Sequence, residues 1–236
     1  QQAAELALPK PDRTNISKWN FIDVAAHTVE SAAYASLDEL PETVKAIIDA
    51  DAQQNLYIQR NNTPAFIRVS NELTSKGVII TDIETAIREH ADLVEQYFMT
   101  TAVKVDEHKL TAYHAALVNG GVFVYVPRNV IVEEPIQVVF VHDNAEASLF
   151  NHVLIVAEQS SAVTYVETYI STVEEAKGQV NVVTEVIAKD NAQVTFGAVD
   201  NLTTGFTAYM NRRGHVARDA KIDWALGLMT SSDTIY

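Results

Sequence analysis

The residues that could do chemistry in this chain are foremost its histidines, carboxylates and basic side chains, and none of its 236 residues is cysteine. A thiolate nucleophile, a disulfide framework and a cysteine-ligated cluster held by this chain alone are excluded. Seven histidines remain: His27, His90, His108, His114, His142, His152 and His215. None sits in the His-Glu-x-x-His pattern of a zinc protease. His108 and His114 are six positions apart, which on one helix turns them about 240° away from each other, so that helix cannot offer both to one metal. His142 and His152 approach each other only if their strands pair across the 143–150 connection, and solvated or strand-edge positions are the default for both.

The charged residues read no more sharply. Glu133-Glu134 stand before Pro135, and neighbours on a strand point to opposite faces, which is poor geometry for two carboxylates sharing a substrate. They read as a solvated rim. Glu158, Glu167 and Glu185 fall in strand-like segments and read as an acidic stripe on an exterior sheet face. Arg212-Arg213 with Arg218 is the one basic cluster of the C-terminal half, an ordinary corner or else a patch for an acidic partner. Gly120-Gly121 follow a helix-like stretch, whereas a phosphate cradle follows a strand and opens a helix, so they read as a helix stop. No Gly-x-Ser-x-Gly elbow is present. No catalytic, cofactor-binding or metal-binding residue is assigned.

The elements that would position these residues divide the chain in two. Residues 1–105 read as an α/β region with an extended leader, since Pro9 and Pro11 favour an extended arm that ends on the apolar anchors Trp19 and Phe21. A helix is expected from Pro41, with Val44, Ile47 and Ile48 at helical spacing. Short strands are expected at Leu56 to Ile58, Ala65 to Val69 and Val78 to Ile80. Thr81-Asp82-Ile83-Glu84 has the form of a capping box, and behind it Ile83, Ala86, Ile87, Val94, Tyr97 and Phe98 trace one helical face. A further helix is expected to be capped by Asp106 and stopped by Gly120-Gly121.

Residues 106–236 read as the second region, in which strands dominate. They are expected at Val122 to Val126, Val130 to Val132, Gln137 to His142, Val153 to Val156, Val163 to Tyr169, Val180 to Ile187, Val194 to Phe196 and Ile222 to Ala225. A degenerate repeat runs through them. Tyr125-Val126-Pro127 leads by a polar turn to Val130-Ile131-Val132, and Ile155-Val156-Ala157 to Val163-Thr164-Tyr165. Val186-Ile187-Ala188 leads to Val194-Thr195-Phe196, and His215-Val216-Ala217 to Ile222-Asp223-Trp224. The period is about thirty residues, without the leucine ladders or long amphipathic helices of other repeat classes. Strand, small residue, polar turn and strand describe one coil of a β-helix, whose coils stack at the ~4.8 Å strand spacing with like residues in inward columns. Val163, Val194 and Ile222 form one such column, and Tyr165, Phe196 and Trp224 the next. A β-sandwich with chance self-similarity is the competing architecture.

Composition narrows the partners. Seventeen basic against 31 acidic residues give a net charge of −14. Such a surface repels phosphate backbones and anionic headgroups, so nucleic-acid and membrane partners are not expected. No apolar run approaches the ~18 residues of a membrane span. Gln1 to Lys10 lack the features of a signal peptide, and a cytoplasmic protein is expected.

Several segments in order resemble the SufB/SufD family of iron–sulfur cluster assembly proteins, and within it the SufD branch of Gram-positive bacteria. Glu5-Leu6-Ala7-Leu8-Pro9 with Lys18-Trp19-Asn20-Phe21 is similar to the leader of that branch, and residues 76–84 to its strand-to-helix joint. Residues 119–127 are similar to the start of its β-helix, and residues 153–158, 211–215 and 222–225 to further coils. The resemblance implies a right-handed parallel β-helix preceded by an N-terminal α/β cap. It also implies a non-catalytic scaffold subunit that pairs with a SufB-like paralogue and a SufC-like ATPase, the cluster being assembled on the complex with no cofactor bound by this chain alone.

Where the SufB branch carries a functional cysteine after a Tyr-x-Glu-Gly strand, Tyr169 ends Tyr165-Val166-Glu167-Thr168-Tyr169. Where SufB has Gln-Asn-Trp, this chain has Asp200-Asn201-Leu202. The family's chains run well past the point equivalent to Tyr236. By the resemblance, that further part completes the β-helix, docks SufC and holds the histidine implicated in cluster assembly. A solenoid ending at Tyr236 is expected to self-associate near Val216 to Ile235. The alternative function is a polysaccharide-acting β-helix enzyme, which needs acidic and basic side chains clustered on one exterior sheet.

Overall fold

The computed structural model describes residues 5–12, 14–21, 28–48 and 54–236. Among the described residues twelve strands form two sheets. Three come from the N-terminal region: β1 (Leu56–Arg60), β2 (Thr63–Arg68) and β3 (Ile79–Asp82). Nine follow: β4 (Gly120–Val126), β5 (Ile136–His142), β6 (Asn151–Ala157), β7 (Ala162–Ser171), β8 (Gln179–Ala188), β9 (Gln193–Asn201), β10 (Thr207–Val216), β11 (Lys221–Leu228) and β12 (Asp233–Ile235). One sheet runs β11-β9-β7-β5-β1-β2 and the other β12-β10-β8-β6-β4-β3. From β4 onward successive strands alternate between the sheets, and each pairs in parallel with the strand two places away. That is a parallel β-helix of about four coils, not an antiparallel sandwich. β1 joins the first sheet parallel to β5, and β3 closes the other antiparallel to β4.

Alternating side chains decide what faces the lumen. Val163, Val194 and Ile222 stand opposite one another, as do Tyr165, Phe196 and Trp224, as the repeat requires. The aromatic rings follow at 5.2 and 4.8 Å between centroids, and Phe140 stacks on Tyr169 at 4.4 Å. Each such pair adds about 0.5–1.5 kcal/mol beyond the area it buries.

On the other sheet Val126, Ala157, Ala188 and Val216 are in register, so Pro127 and Ala217 lie one residue beyond the positions the repeat suggests. Pro127 has no N–H for the ladder and serves in the corner instead. Val130–Val132 is not a strand either: Ile131 makes a single bridge to Ala162 before Glu133, Glu134 and Pro135 loop out. Strand β10 meets the repeat only at His215-Val216; it begins at Thr207, well ahead of the segment expected.

One corner of every coil has a shared conformation. Asn129, Ser160, Asn191 and Asp219 occupy the left-handed region, at φ 61°, 58°, 60° and 58°. The N–H groups of Asn129, Ser160 and Asn191 donate to Gln159, Asp190 and Arg218 of the next coil at 3.0, 3.0 and 2.9 Å. Three of these corners are equally short, at 158–161, 189–192 and 217–220, whereas the opposite corners shorten along the axis, at 143–150, 172–178, 202–206 and 229–232.

Among the described residues five α-helices accompany the strands: α1 (Glu42–Lys45), α2 (Asn71–Ser75), α3 (Ile83–Glu89), α4 (Ala91–Tyr97) and α5 (Lys109–Leu117). The expected capping box at Thr81 and Glu84 does not form, because α3 begins at Ile83 and the N-cap position therefore falls one residue after Thr81. Asp82 caps α3 instead, accepting from the Thr85 N–H at 2.8 Å. The expected single helix through residue 98 breaks at His90, whose backbone leaves the helical region, and Ile87 is exposed rather than on the packed face. His108 rather than Asp106 caps α5, its Nδ1 accepting from Thr111 N–H while Thr111 Oγ1 accepts from the His108 N–H. Gly120 and Gly121 open β4 instead of stopping the helix. Gly121 has φ 129°, and a Cβ there would lie 1.9 Å from the His152 carbonyl oxygen, so only glycine allows this approach to β6.

The helices cover the outside of the solenoid. Ile83, Ala86, Val94 and Tyr97 pack on Phe123, Leu154, Val156 and Ile187. Leu40 and Val44 pack on Val139 and Val141 of the other sheet. The leader lies across the first of these faces, with Ile16 and Phe21 against Val183, Tyr209 and Ile235. At the last coil Val216, Trp224, Leu226, Leu228 and Met229 are exposed, the methionine to 66%.

Candidate functional site

Two buried polar clusters stand out, one inside the solenoid and one beneath the helices. In the lumen, Arg212 of β10 points inward, as do Glu167 of β7 and Asp200 of β9. Its Nη1 and Nη2 donate to the two oxygens of Asp200 at 2.8 and 2.7 Å. Nε and Nη2 also donate to Glu167 Oε1 at 3.1 and 2.9 Å. Tyr165 OH donates to the other Glu167 oxygen at 2.9 Å. Burial pushes the Glu167 carboxyl up, and the Arg212 guanidinium pulls it back only partly. Burial works against the Arg212 charge as well, but its two carboxylates outweigh that and hold it above its ordinary value.

The second cluster joins α5, β6 and β8. His114 Nε2 lies 3.0 Å from His152 Nδ1, and His152 Nε2 lies 3.2 Å from Glu185 Oε2. All three side chains are fully buried. Glu185 accepts from the backbone N–H groups of Met99 and Val103 at 2.6 and 3.0 Å. His114 Nδ1 faces both the Asn181 carbonyl at 3.2 Å and Asn181 Oδ1 at 3.1 Å, and the ring of Phe98 lies 4.1 Å from that of His152. Burial, with His152 beside it, holds His114 well below the usual histidine range.

The sequence-derived candidates are distributed as follows. His27 lies outside the described residues. His90 sits between α3 and α4, and His215 is exposed. His142 faces the lumen against Phe206, with Nε2 3.2 Å from the Ala147 carbonyl, whereas His152 faces outward from the other sheet, so the two do not meet. The acidic stripe does not exist: Glu167 is in the lumen, Glu185 is under the helices, and Glu158 accepts from Tyr97 OH at 3.2 Å. Glu133 and Glu134 are exposed, as a solvated rim requires. The basic cluster is divided, with Arg212 inside, Arg213 2.7 Å from Glu107 and Arg218 2.8 Å from Asp190. Among the described residues no three His, Asp or Glu side chains converge on one metal position, and no helix is long and apolar enough to cross a membrane.

Comparison with known proteins decides the family. Residues 50–138 match the profile of the SufBD protein N-terminal region, and residues 140–236 match that of the SufBD core domain of the SUF system for FeS cluster assembly. The chain belongs to the SufBD family. An iron–sulfur cluster assembly protein, SufD, of Bacillus subtilis is 59% identical over 237 residues, covering 100% of this chain and 54% of that protein. SufBD family proteins of Staphylococcus saprophyticus and Staphylococcus haemolyticus are 27% identical over 230 residues, 94% of this chain and 49% of theirs. The chain thus spans about half the length of the curated relatives it matches. In this SufBD chain Tyr169, at the position likened to the SufB cysteine, is fully buried in the lumen on Phe140.

Proposed function

We propose that this chain is a non-catalytic scaffold subunit of iron–sulfur cluster assembly, working in the cytoplasm through contacts with a SufB-like paralogue and a SufC-like ATPase. The observation that carries the reading is the 59% identity, over the whole chain, with the Bacillus subtilis iron–sulfur cluster assembly protein. The cluster is cargo of the complex, and this chain alone binds no cofactor. The architecture suits the role, because stacked rings and a buried ion triad make a stiff frame that holds neighbours at fixed distances. A net charge of −14 disfavours nucleic acid as a partner. The exposed apolar coil at Trp224, Leu226 and Leu228 is assigned to a contact with a second copy when the chain is alone.

The test is co-purification of this chain, and in parallel the longer Bacillus subtilis relative, with SufB-like and SufC-like proteins. The longer protein is expected to retain the ATPase and this chain to lose it. Equal retention by both would put the docking surface within the present residues. Failure of both to retain either partner would overturn the scaffold reading.

A further inference from the structure

The two sheets do not end level at the N-terminal mouth of the solenoid. β1 beside β5 and β3 beside β4 make one layer, and β2 then extends the first sheet by a further strand with no strand opposite it. β3 is the last strand of its sheet, and among the described residues its second edge pairs with no strand. The outer edge of β2 is covered, since the Tyr34 N–H donates to the Ala65 carbonyl at 2.8 Å and the Ser31 N–H to Thr63 Oγ1 at 3.1 Å. One strand place therefore stands open, beside β3 and across the mouth from β2. An exposed edge of this kind is a template for pairing with another chain.

The side chains around that place suit an occupant. Opposite residues of an antiparallel pair share a face, so Ile67, in register with the lumen residue Tyr57, is on the side of the mouth. It is 50% exposed, although the lumen positions of the deeper coils are buried. A cavity of about 410 Å³ lies between Ile67 and Thr81, and a second of about 340 Å³ continues beyond Asp82 to Ile87 and Phe98. Tyr57, Pro64 and Asp82 belong to the walls of both, so the two form one groove. Among the described residues no Lys, Arg or His lines it, whereas Asp82 and Glu84 do. Asp82 Oδ1 accepts from the Thr85 N–H, its other oxygen has no partner among the described residues, and Glu84 is exposed.

We propose that this groove is the docking site for an extended, basic peptide segment of a partner protein, which joins the sheet as a strand beside β3. Main-chain hydrogen bonds to the free β3 edge supply affinity, and pockets for alternate side chains supply selectivity. Because a strand alternates its side chains, those facing the mouth meet Tyr57 and Ile67 and are apolar, while those within reach of Asp82 and Glu84 are Lys or Arg. The same two carboxylates, and the net charge of −14, repel an acidic segment. The site lies at the other end of the solenoid from the exposed coil at Trp224 and is separate from the second-copy contact.

Fluorescence anisotropy with a labelled peptide, acetyl-Val-Lys-Val-Lys-Val-Lys-Val-amide, tests the site on the whole chain. Saturable binding is expected, weaker by about tenfold when glutamate replaces lysine in the peptide, as two partly exposed ion pairs are lost. The N-methylated form of the lysine peptide keeps its charge but has no amide to donate, and is expected not to bind. Ile67→Glu adds negative charge and removes the apolar seat, so it is expected to bind the lysine peptide more weakly. General attraction to an acidic surface would instead strengthen binding to that variant. Amide exchange on the wild type locates the contact: alternate amides of Ile79–Asp82 point away from β4 and are expected to gain protection. No saturable binding, binding that survives N-methylation, tighter binding by Ile67→Glu, or protection confined to other strands would each overturn the proposal.

Discussion

Arg212 carries the only positive charge in the lumen cluster, against two carboxylates. Breaking a buried ion pair by removing one partner leaves an uncompensated charge, which costs about 3–5 kcal/mol. Arg212→Met is expected to lose about that much in urea denaturation, because Glu167 and Asp200 would face each other unscreened. Glu167→Gln removes the surplus negative charge, keeps the Arg212–Asp200 pair and should cost much less. Glu167 is held up by burial, so its contribution is full below the ordinary carboxylate range and is lost as pH rises through its raised value. The penalty of Glu167→Gln should therefore shrink with rising pH.

Part of this was legible in the sequence. The alternation that turns Val163 and Tyr165 inward also turns Glu167 inward, although a strand carboxylate ordinarily faces water. The partner was not legible, because Arg212 lies 45 positions away on a strand whose apolar rhythm it interrupts. His114 and His152, 38 positions apart, were hidden for the same reason: no spacing rule reaches across coils.

At the scale of elements, the left-handed corner is the feature that repeats most strictly. A β-branched residue in that conformation costs about 1–2 kcal/mol, while glycine adopts it freely. Asn191→Val is expected to lower stability by about that amount, and Asn191→Gly to stay near wild type apart from the lost 3.2 Å bond to Ser160, as thermal denaturation would show. The strands on either side of this corner could be read from alternating valines. Helix boundaries could not, since His90 and His108 take cap positions that residue preference does not encode, and only Asp82 is a cap by type. The repeat was legible in period but not in register on the sheet containing β6 and β8, where small residues at 157, 188 and 217 drew the alignment one place off.

For the whole molecule, the exposed coil containing Trp224 decides how the isolated chain behaves. Its rungs continue the lumen columns, so apolar area of the kind buried elsewhere meets water. Sedimentation over a range of concentrations is expected to show self-association. In a Trp19→Phe background, collisional quenching of Trp224 should fall as the larger species forms. A monomer at every concentration, with constant quenching, would refute the second-copy contact.

The two seams of the solenoid are unlike. Both are fastened coil to coil by amide–carbonyl bonds, but one turns through left-handed residues at nearly constant length, while the other has a different length at each coil, from 143–150 down to 229–232. A grafted peptide is therefore expected to be tolerated less well at the left-handed corners than along the variable seam. There a longer detour bulges outward and leaves every rung seated.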